Sequence, residues 1–146
     1  MKKLILLLSV LLFSLEFVAA QDEYERSVFV SSLGDSLNYR LLEPEVMQAG
    51  EKYPLVLFLH GAGERGNDNE KQLTHGGQMF LNPVNREKYP AFVLFPQCPE
   101  SGYWAYENRP QSFIPTQMPV GKEMPSVFQA VKELLDMYLA CLLYTS

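Results

Sequence analysis

The sequence has 146 residues, with 12 Lys and Arg against 17 Asp and Glu, and a formal net charge of −5. This length allows one domain at most. The acidic excess disfavours nucleic acid and anionic membrane surfaces as binding partners. Two cysteines do not suggest a disulfide framework.

Residues 1–20 have the pattern of a secretory signal peptide. Two lysines near the start precede an apolar stretch over Leu4–Phe13, and small residues lead up to Ala20. The alternative is a membrane anchor, but Glu16 interrupts an apolar run that is already shorter than the roughly 20 residues of a spanning helix. We therefore expect a secreted or periplasmic protein, cleaved near Ala20 and without a stable membrane anchor.

The first predicted element is an antiparallel hairpin. Ser27–Ser32 and Leu37–Leu42 are rich in residues that favour strands, and Gly34-Asp35 separates them. Pro44 ends the second strand because proline cannot donate a hydrogen bond to a neighbouring strand. Such a hairpin commonly forms the edge of an otherwise parallel sheet.

A central parallel strand is predicted next, over Leu55–Leu59. The run is apolar on both faces, and Pro54 before it and Gly61 after it leave room for little more than a strand. We expect this strand to be buried on both faces, where each large side chain stabilises the fold by about 1.5–3 kcal/mol. The glycine-rich loop that follows would lie at the carboxyl end of the sheet, where α/β proteins bind ligands.

Two further elements complete the pattern. Ala91–Phe95 is a second apolar run and predicts another buried parallel strand, and Pro125–Leu139 has the apolar spacing of an amphipathic helix. Between them, Pro99–Pro119 is too irregular for an element and too aromatic for a plain linker. Residues 67–83 are expected to form loop and short helix. This order is that of the opening half of a doubly wound α/β fold.

Three motifs, in order, resemble a known family. They are Leu59–Gly66 (LHGAGERG), Gln72–Gly77 (QLTHGG) and Tyr89–Pro99 (YPAFVLFPQCP), followed by Trp104. The set resembles α/β-hydrolases, and more narrowly secreted bacterial esterases and peptidases related to the polyhydroxybutyrate depolymerases and prolyl oligopeptidases. The resemblance covers most of the chain from about Asn38 to Leu139.

The resemblance implies both a fold and an activity. The fold would be the N-terminal half of an α/β-hydrolase sheet, with an antiparallel N-terminal hairpin followed by parallel strands. The activity would be that of a secreted serine hydrolase acting on a small-molecule ester, a sugar ester or a peptide. It would use Ser-His-Asp acyl transfer and no cofactor or metal.

The resemblance also assigns roles within the glycine loop. The backbone N–H of Ala62 would be an oxyanion donor, with Gly61 as the second candidate. His60 would orient the loop rather than act as the catalytic base, because the family's triad histidine lies much further along the chain. The structural alternative is an ordinary glycine turn between a strand and a helix.

The catalytic triad itself is not expected in this chain. No serine stands in a Gly-x-Ser-x-Gly motif, which supplies the strained turn of a nucleophile elbow. In the resembled family that elbow follows the next strand, after a helix like Pro125–Leu139. The nucleophile, acid and base would therefore all lie beyond the sequence, which we interpret as truncated before the elbow.

The aromatic loop supports a second hypothesis. Trp104 and Tyr103, with Tyr106 nearby, either form a substrate-binding wall beside the site or simply attach a long loop to the surface. A non-catalytic secreted binding module that uses this loop is the alternative function. A Gly-x-Ser-x-Gly motif downstream of Ala140 in the gene would favour the enzyme.

Four other residues have simpler interpretations. Glu64 and Arg65 form either a local ion pair or two solvated charges. His75 is expected to be a loop or helix-end residue rather than a metal ligand. Cys98 is expected to be a buried thiol, because nothing in its sequence neighbourhood would lower its pKa.

The last six residues look foreign to the protein. Cys141–Ser146 (CLLYTS) is the translation of TGT CTC TTA TAC ACA TCT, the transposon mosaic-end adapter of sequencing libraries. We therefore expect residues 21–140 to be the hydrolase part and 141–146 to be adapter-derived. A natural apolar C-terminus is the alternative, and the codons in the gene distinguish the two.

Overall fold

The computed structural model describes residues 23–105 and 124–144. The predicted signal peptide lies outside the described residues, as do Tyr106 and the remainder of the aromatic loop. In the described ranges, no helix is both long enough and apolar enough to span a bilayer.

The predicted N-terminal hairpin is confirmed, with slightly different bounds. Strand β1 covers Glu25–Val30 and strand β2 covers Ser36–Leu42, and they pair antiparallel. Gly34 sits in the turn at a φ of 86°, a left-handed conformation that glycine adopts at little cost. Its N–H donates to the Ser31 carbonyl at 2.9 Å, which closes the turn.

The predicted parallel pair is also present. Strand β3 covers Leu55–Leu57 and strand β4 covers Phe92–Pro96, and the two run parallel with Val56 opposite Val93. Strand β4 also pairs antiparallel with β2, so the sheet order is β1-β2-β4-β3. Every residue of β4 is buried, as expected for the central strand of a covered sheet.

The expected burial of the first apolar run is wrong. Strand β3 ends at Leu57, its three residues are only half-buried, and Leu59 is 36% exposed. The physical reason is position: in the described part of the chain, β3 is an edge strand with β4 on one side only. The sequence pattern indicates that a strand is apolar, but not how many neighbours it has.

Both faces of the sheet are covered by apolar side chains. Alternate residues of β2 and β4 point to opposite sides, so Leu41 and Leu94 join one core and Leu42, Val93 and Phe95 join the other. The first core is closed by the long C-terminal helix, and the second by segments near the two short helices. This two-sided cover is the arrangement of an α/β fold.

Three α-helices and two 3-10 turns, Ala62–Glu64 and Lys71–Leu73, complete the described fold. The short helices α1 (Gly77–Leu81) and α2 (Pro83–Lys88) follow the glycine loop. Asn82 caps α2 by accepting hydrogen bonds from two backbone N–H groups of the first turn, and Pro83 occupies the first position, where proline is tolerated.

The predicted C-terminal helix is present and longer than expected. Helix α3 covers Ser126–Tyr144, directly after Pro125, and so continues through most of the segment that we interpret as adapter-derived. The carboxylate of Glu133 accepts hydrogen bonds from the N–H and hydroxyl of Ser32 at 2.7 and 2.6 Å, which ties α3 to the hairpin. The foreign origin of residues 141–146 stays a prediction.

The outer edge of β3 leads to a prediction about residues 21–140 expressed alone. Along this edge, backbone N–H and C=O groups have no strand partner among the described residues. We expect this segment to self-associate in analytical gel filtration and to melt without a sharp transition, because exposed apolar edges template further strand pairing. Leu59→Lys, which places a charge beside the edge, should reduce the association. A monomer with one sharp thermal transition would contradict this prediction.

Candidate active site

His60 lies three residues beyond the carboxyl end of β3 and is 5% exposed. Its Nε2 atom accepts a hydrogen bond from the N–H of Cys98 at 2.9 Å. Since Nε2 is the acceptor, the ring proton is on Nδ1, which donates to the carbonyl of Gly61 at 2.6 Å. Both ring nitrogens are therefore engaged with the backbone, and neither is available to take a proton from a substrate.

Three consecutive carbonyls of the glycine loop are held by side chains. The carbonyl of His60 accepts from Trp104 Nε1 at 3.0 Å, that of Gly61 accepts from the His60 ring, and that of Ala62 accepts from Arg65 Nε at 3.0 Å. In a planar trans peptide, the carbonyl and the following N–H point in opposite directions. The fixed carbonyls therefore fix the directions of the N–H groups of Gly61, Ala62 and Gly63.

The N–H of Ala62 is directed away from the side of the loop that is held. Ala62 is exposed, and its N–H has no acceptor among residues 23–105 and 124–144. A short 3-10 turn over Ala62–Glu64 follows, closed by a bond of 3.3 Å from the Glu64 N–H to the Gly61 carbonyl. The loop thus presents a rigid, solvent-facing hydrogen-bond donor.

Arg65 connects the glycine loop to the loop that follows β4. Its Nη1 atom donates to the carbonyls of Gly102 at 3.1 Å and Glu100 at 3.3 Å. The guanidinium carbon lies 4.3 Å from the centre of the Tyr103 ring, a cation–π distance.

The proposed alternatives for Glu64 and Arg65 were both wrong. Glu64 is largely buried, and its carboxylate lies 3.4 Å from His75 Nε2 rather than on Arg65. Arg65 contacts carbonyl groups and an aromatic ring instead. Residues adjacent in the sequence point to different sides of the turn, so the nearest opposite charge is not the neighbour in the chain.

Gln97 anchors the far half of the loop and was not singled out from the sequence. Its Nε2 atom donates to Asp68 at 2.7 Å and to the Glu64 carbonyl at 3.3 Å, and its Oε1 accepts from the Asn69 N–H at 2.7 Å. Gln97 is 1% exposed. The available signal was its position, a polar residue directly after a buried strand at the carboxyl end of the sheet.

Asp68 organises the same part of the loop. Burial raises its pKa, but hydrogen bonds from the Lys71 N–H, the Gln97 side chain and the Glu70 N–H outweigh it and lower the pKa to about 2. The carboxylate therefore stays ionised near neutral pH and keeps these three donors in place.

Cys98 is a free, buried thiol, as expected. It is 1% exposed, and burial raises its pKa to about 11 despite the nearby Arg65 charge. Because the thiolate is the nucleophilic form, a thiol of this kind is inert at neutral pH.

Trp104 and Tyr103 lie beside the glycine loop in different environments. Trp104 is half-buried, with its ring 5.2 Å from that of His60 in an edge-to-face arrangement, so it attaches its own loop to the site. Tyr103 is 44% exposed and has Arg65 against its ring. Of the two aromatic residues, Tyr103 has the larger exposed fraction.

Two concave surfaces lie away from this loop. Grooves of about 620 and 560 Å³ share Tyr53 and Pro54, which precede β3 at the opposite end of the sheet from His60. In the described ranges, no three His, Cys, Asp or Glu side chains lie close enough together to hold a metal ion. Neither groove is lined by His60, Ala62 or Arg65.

Comparisons with known proteins support the fold. No protein-family model matches the chain, and neither does any curated protein. Among solved structures it is similar to a thermostable esterase, with 34% identity, a TM-score of 0.64, and 82% of this chain and 32% of that chain covered. It is also similar to BES protein from Bacillus cereus, with 16% identity, a TM-score of 0.44, and 81% and 48% covered.

The chain therefore spans about a third of the length of the esterase that it matches. Together with the mixed sheet, this likeness confirms the predicted fold class: an esterase-like α/β sheet in which an antiparallel hairpin is followed by parallel strands.

Proposed function

We propose that this chain is the N-terminal part of a longer, secreted serine hydrolase. The enzyme cleaves small carboxylic esters, including sugar esters, or peptides by Ser-His-Asp acyl transfer. The observation that carries this proposal is the fixed N–H of Ala62: His60 holds the Gly61 carbonyl of the same peptide, so the N–H points outward and is free to bind an anion.

The chemistry explains why a fixed donor matters. Attack on an ester or amide carbonyl creates a negatively charged oxygen, and preorganised donors stabilise it without a cost of reorganisation during the reaction. In α/β-hydrolases the second donor is the N–H that follows the nucleophile. In our proposal Ala62 supplies the first donor, Gly61 is the second candidate, and the nucleophile comes from a later segment.

The described residues do not provide the triad in this proposal. His60 uses both ring nitrogens on the backbone, and the raised pKa of Cys98 excludes that thiol as a nucleophile at neutral pH. In this proposal the Ser, His and Asp of the reaction come from a later segment of the longer enzyme.

The exposed ring of Tyr103 supports a second candidate function. A secreted binding module would use this ring, with Trp104 holding it in place through His60. The two candidates differ in the gene: the enzyme requires Gly-x-Ser-x-Gly within roughly 15–25 residues of Ala140, the length of one strand and its turns. A stop codon at that position favours the module or a decayed gene.

The test is made on the protein expressed from the complete gene. We expect hydrolysis of p-nitrophenyl acetate or butyrate and its loss after treatment with a fluorophosphonate. Mass spectrometry should then find the label on one serine, inside the Gly-x-Ser-x-Gly motif. Ester hydrolysis that survives the reagent, or no hydrolysis and no labelled serine, would overturn the proposed function.

A further inference from the structure

We propose that Arg65 is a positioning residue for ester hydrolysis, an inference that rests on the proposed function. Its side chain links the glycine loop, which carries the proposed oxyanion donor, to the loop after β4, which carries Tyr103 and Trp104.

The Arg65 side chain acts on Ala62, the residue that supplies the proposed oxyanion donor. Ala62 lies between two peptide planes: the His60 ring holds the preceding plane through the Gly61 carbonyl, and Arg65 Nε holds the following plane through the Ala62 carbonyl. Fixing both planes fixes the backbone dihedral angles of Ala62. The direction of its N–H then depends on Arg65 as well as on His60.

The contacts of Arg65 with the loop after β4 are equally well defined. Arg65 Nη1 is 3.1 Å from the Gly102 carbonyl and 3.3 Å from the Glu100 carbonyl, and Tyr103 packs against the guanidinium face. Only arginine has a planar guanidinium, which can donate hydrogen bonds to two separate segments and stack on a ring at the same time. The ammonium of lysine is a compact point charge. A charge at position 65 alone would not reproduce these contacts.

The competing role for Arg65 is direct electrostatic stabilisation by its charge. Arg65→Lys distinguishes this role from positioning, because it keeps the positive charge and removes the planar guanidinium. In the enzyme from the complete gene, we expect Arg65→Lys to lower kcat by about 10- to 100-fold, the effect of a misplaced group of about 1 Å. KM should stay within about twofold of the wild-type value, since a donor used only in the transition state lowers kcat and kcat/KM together. Affinity for a boronic acid that mimics the tetrahedral state should fall by the same factor as kcat.

Arg86→Lys is the matched control. Arg86 also bonds a carbonyl, that of Glu43 at 3.1 Å, and pairs with the Glu23 carboxylate, but it lies on α2 and contacts neither loop of the site. We expect its kcat to stay within about twofold of the wild-type value, because Arg86 bonds neither the glycine loop nor the loop after β4.

Two results would overturn the inference alone: wild-type kcat in Arg65→Lys, or an equal loss in Arg86→Lys. If the wild-type protein has no fluorophosphonate-sensitive esterase activity, the proposed function is wrong and the role of Arg65 is overturned with it. An active wild type together with an unaffected Arg65→Lys variant overturns only the positioning role of Arg65.

Discussion

Replacing Ala62 by proline in the complete hydrolase is expected to lower kcat by about 10²–10³, because proline has no N–H to donate to the oxyanion. The fold should tolerate the change. Ala62 is the first residue of a 3-10 turn, where proline is accepted, and Gly61 before it is already extended, with φ −77° and ψ 176°. The measurement is steady-state hydrolysis of p-nitrophenyl acetate by wild type and variant.

Ala62→Gly is the matched control, since it removes only a methyl group and keeps the N–H. We expect it to retain most of the wild-type kcat, and circular dichroism should confirm that both variants are folded. A folded Ala62→Pro enzyme with wild-type turnover would rule out this N–H as the oxyanion donor.

Replacing Phe95 by alanine should lower the free energy of unfolding by about 3–5 kcal/mol. Phe95 is fully buried in β4, and its ring lies 4.7, 5.4 and 5.6 Å from those of Phe58, Tyr24 and Phe80. Truncation removes the shared partner of three aromatic rings and leaves a cavity that they cannot fill without moving. Urea unfolding of the complete protein, followed by near-ultraviolet circular dichroism, measures the loss.

Tyr89→Ala provides the comparison for this core variant. Tyr89 is 64% exposed, so its truncation should change the free energy of unfolding by no more than about 0.5 kcal/mol. Equal stability of Phe95→Ala and wild type would mean that the core on this face of the sheet does not depend on the aromatic cluster.

The elements that were predicted well are those whose signal is local. A glycine turn between two short runs of strand-forming residues defines β1 and β2, and the apolar spacing after Pro125 defines α3. The burial of β3 could not be predicted in this way. It depends on which strands flank β3 in space, and the sheet order places β4 on one side of it only.

The candidate site likewise has a part with a local sequence signal and a part that depends on residues far apart in the chain. The glycine loop was located from the sequence because a polar, glycine-rich turn after an apolar strand is itself a local pattern. The bonds that make it rigid join residues far apart in the chain: Trp104 to His60, and Arg65 to Gly102. The pairing of Glu64 with His75 rather than with Arg65 has the same cause, since a turn decides which neighbours meet.

In the longer hydrolase that we propose, the open edge of β3 would stay exposed for seconds during synthesis. Ribosomes add about 5–20 residues per second, whereas hairpins and helices form within about 10 μs once their residues are available. Strands β1 to β4 are therefore ready to pair before a later segment exists to cover Leu55–Leu57. During that interval the nascent chain presents an apolar, half-buried strand that is unpaired on one side and has two grooves beside it. We expect a chaperone that binds extended apolar segments to hold the growing chain at β3.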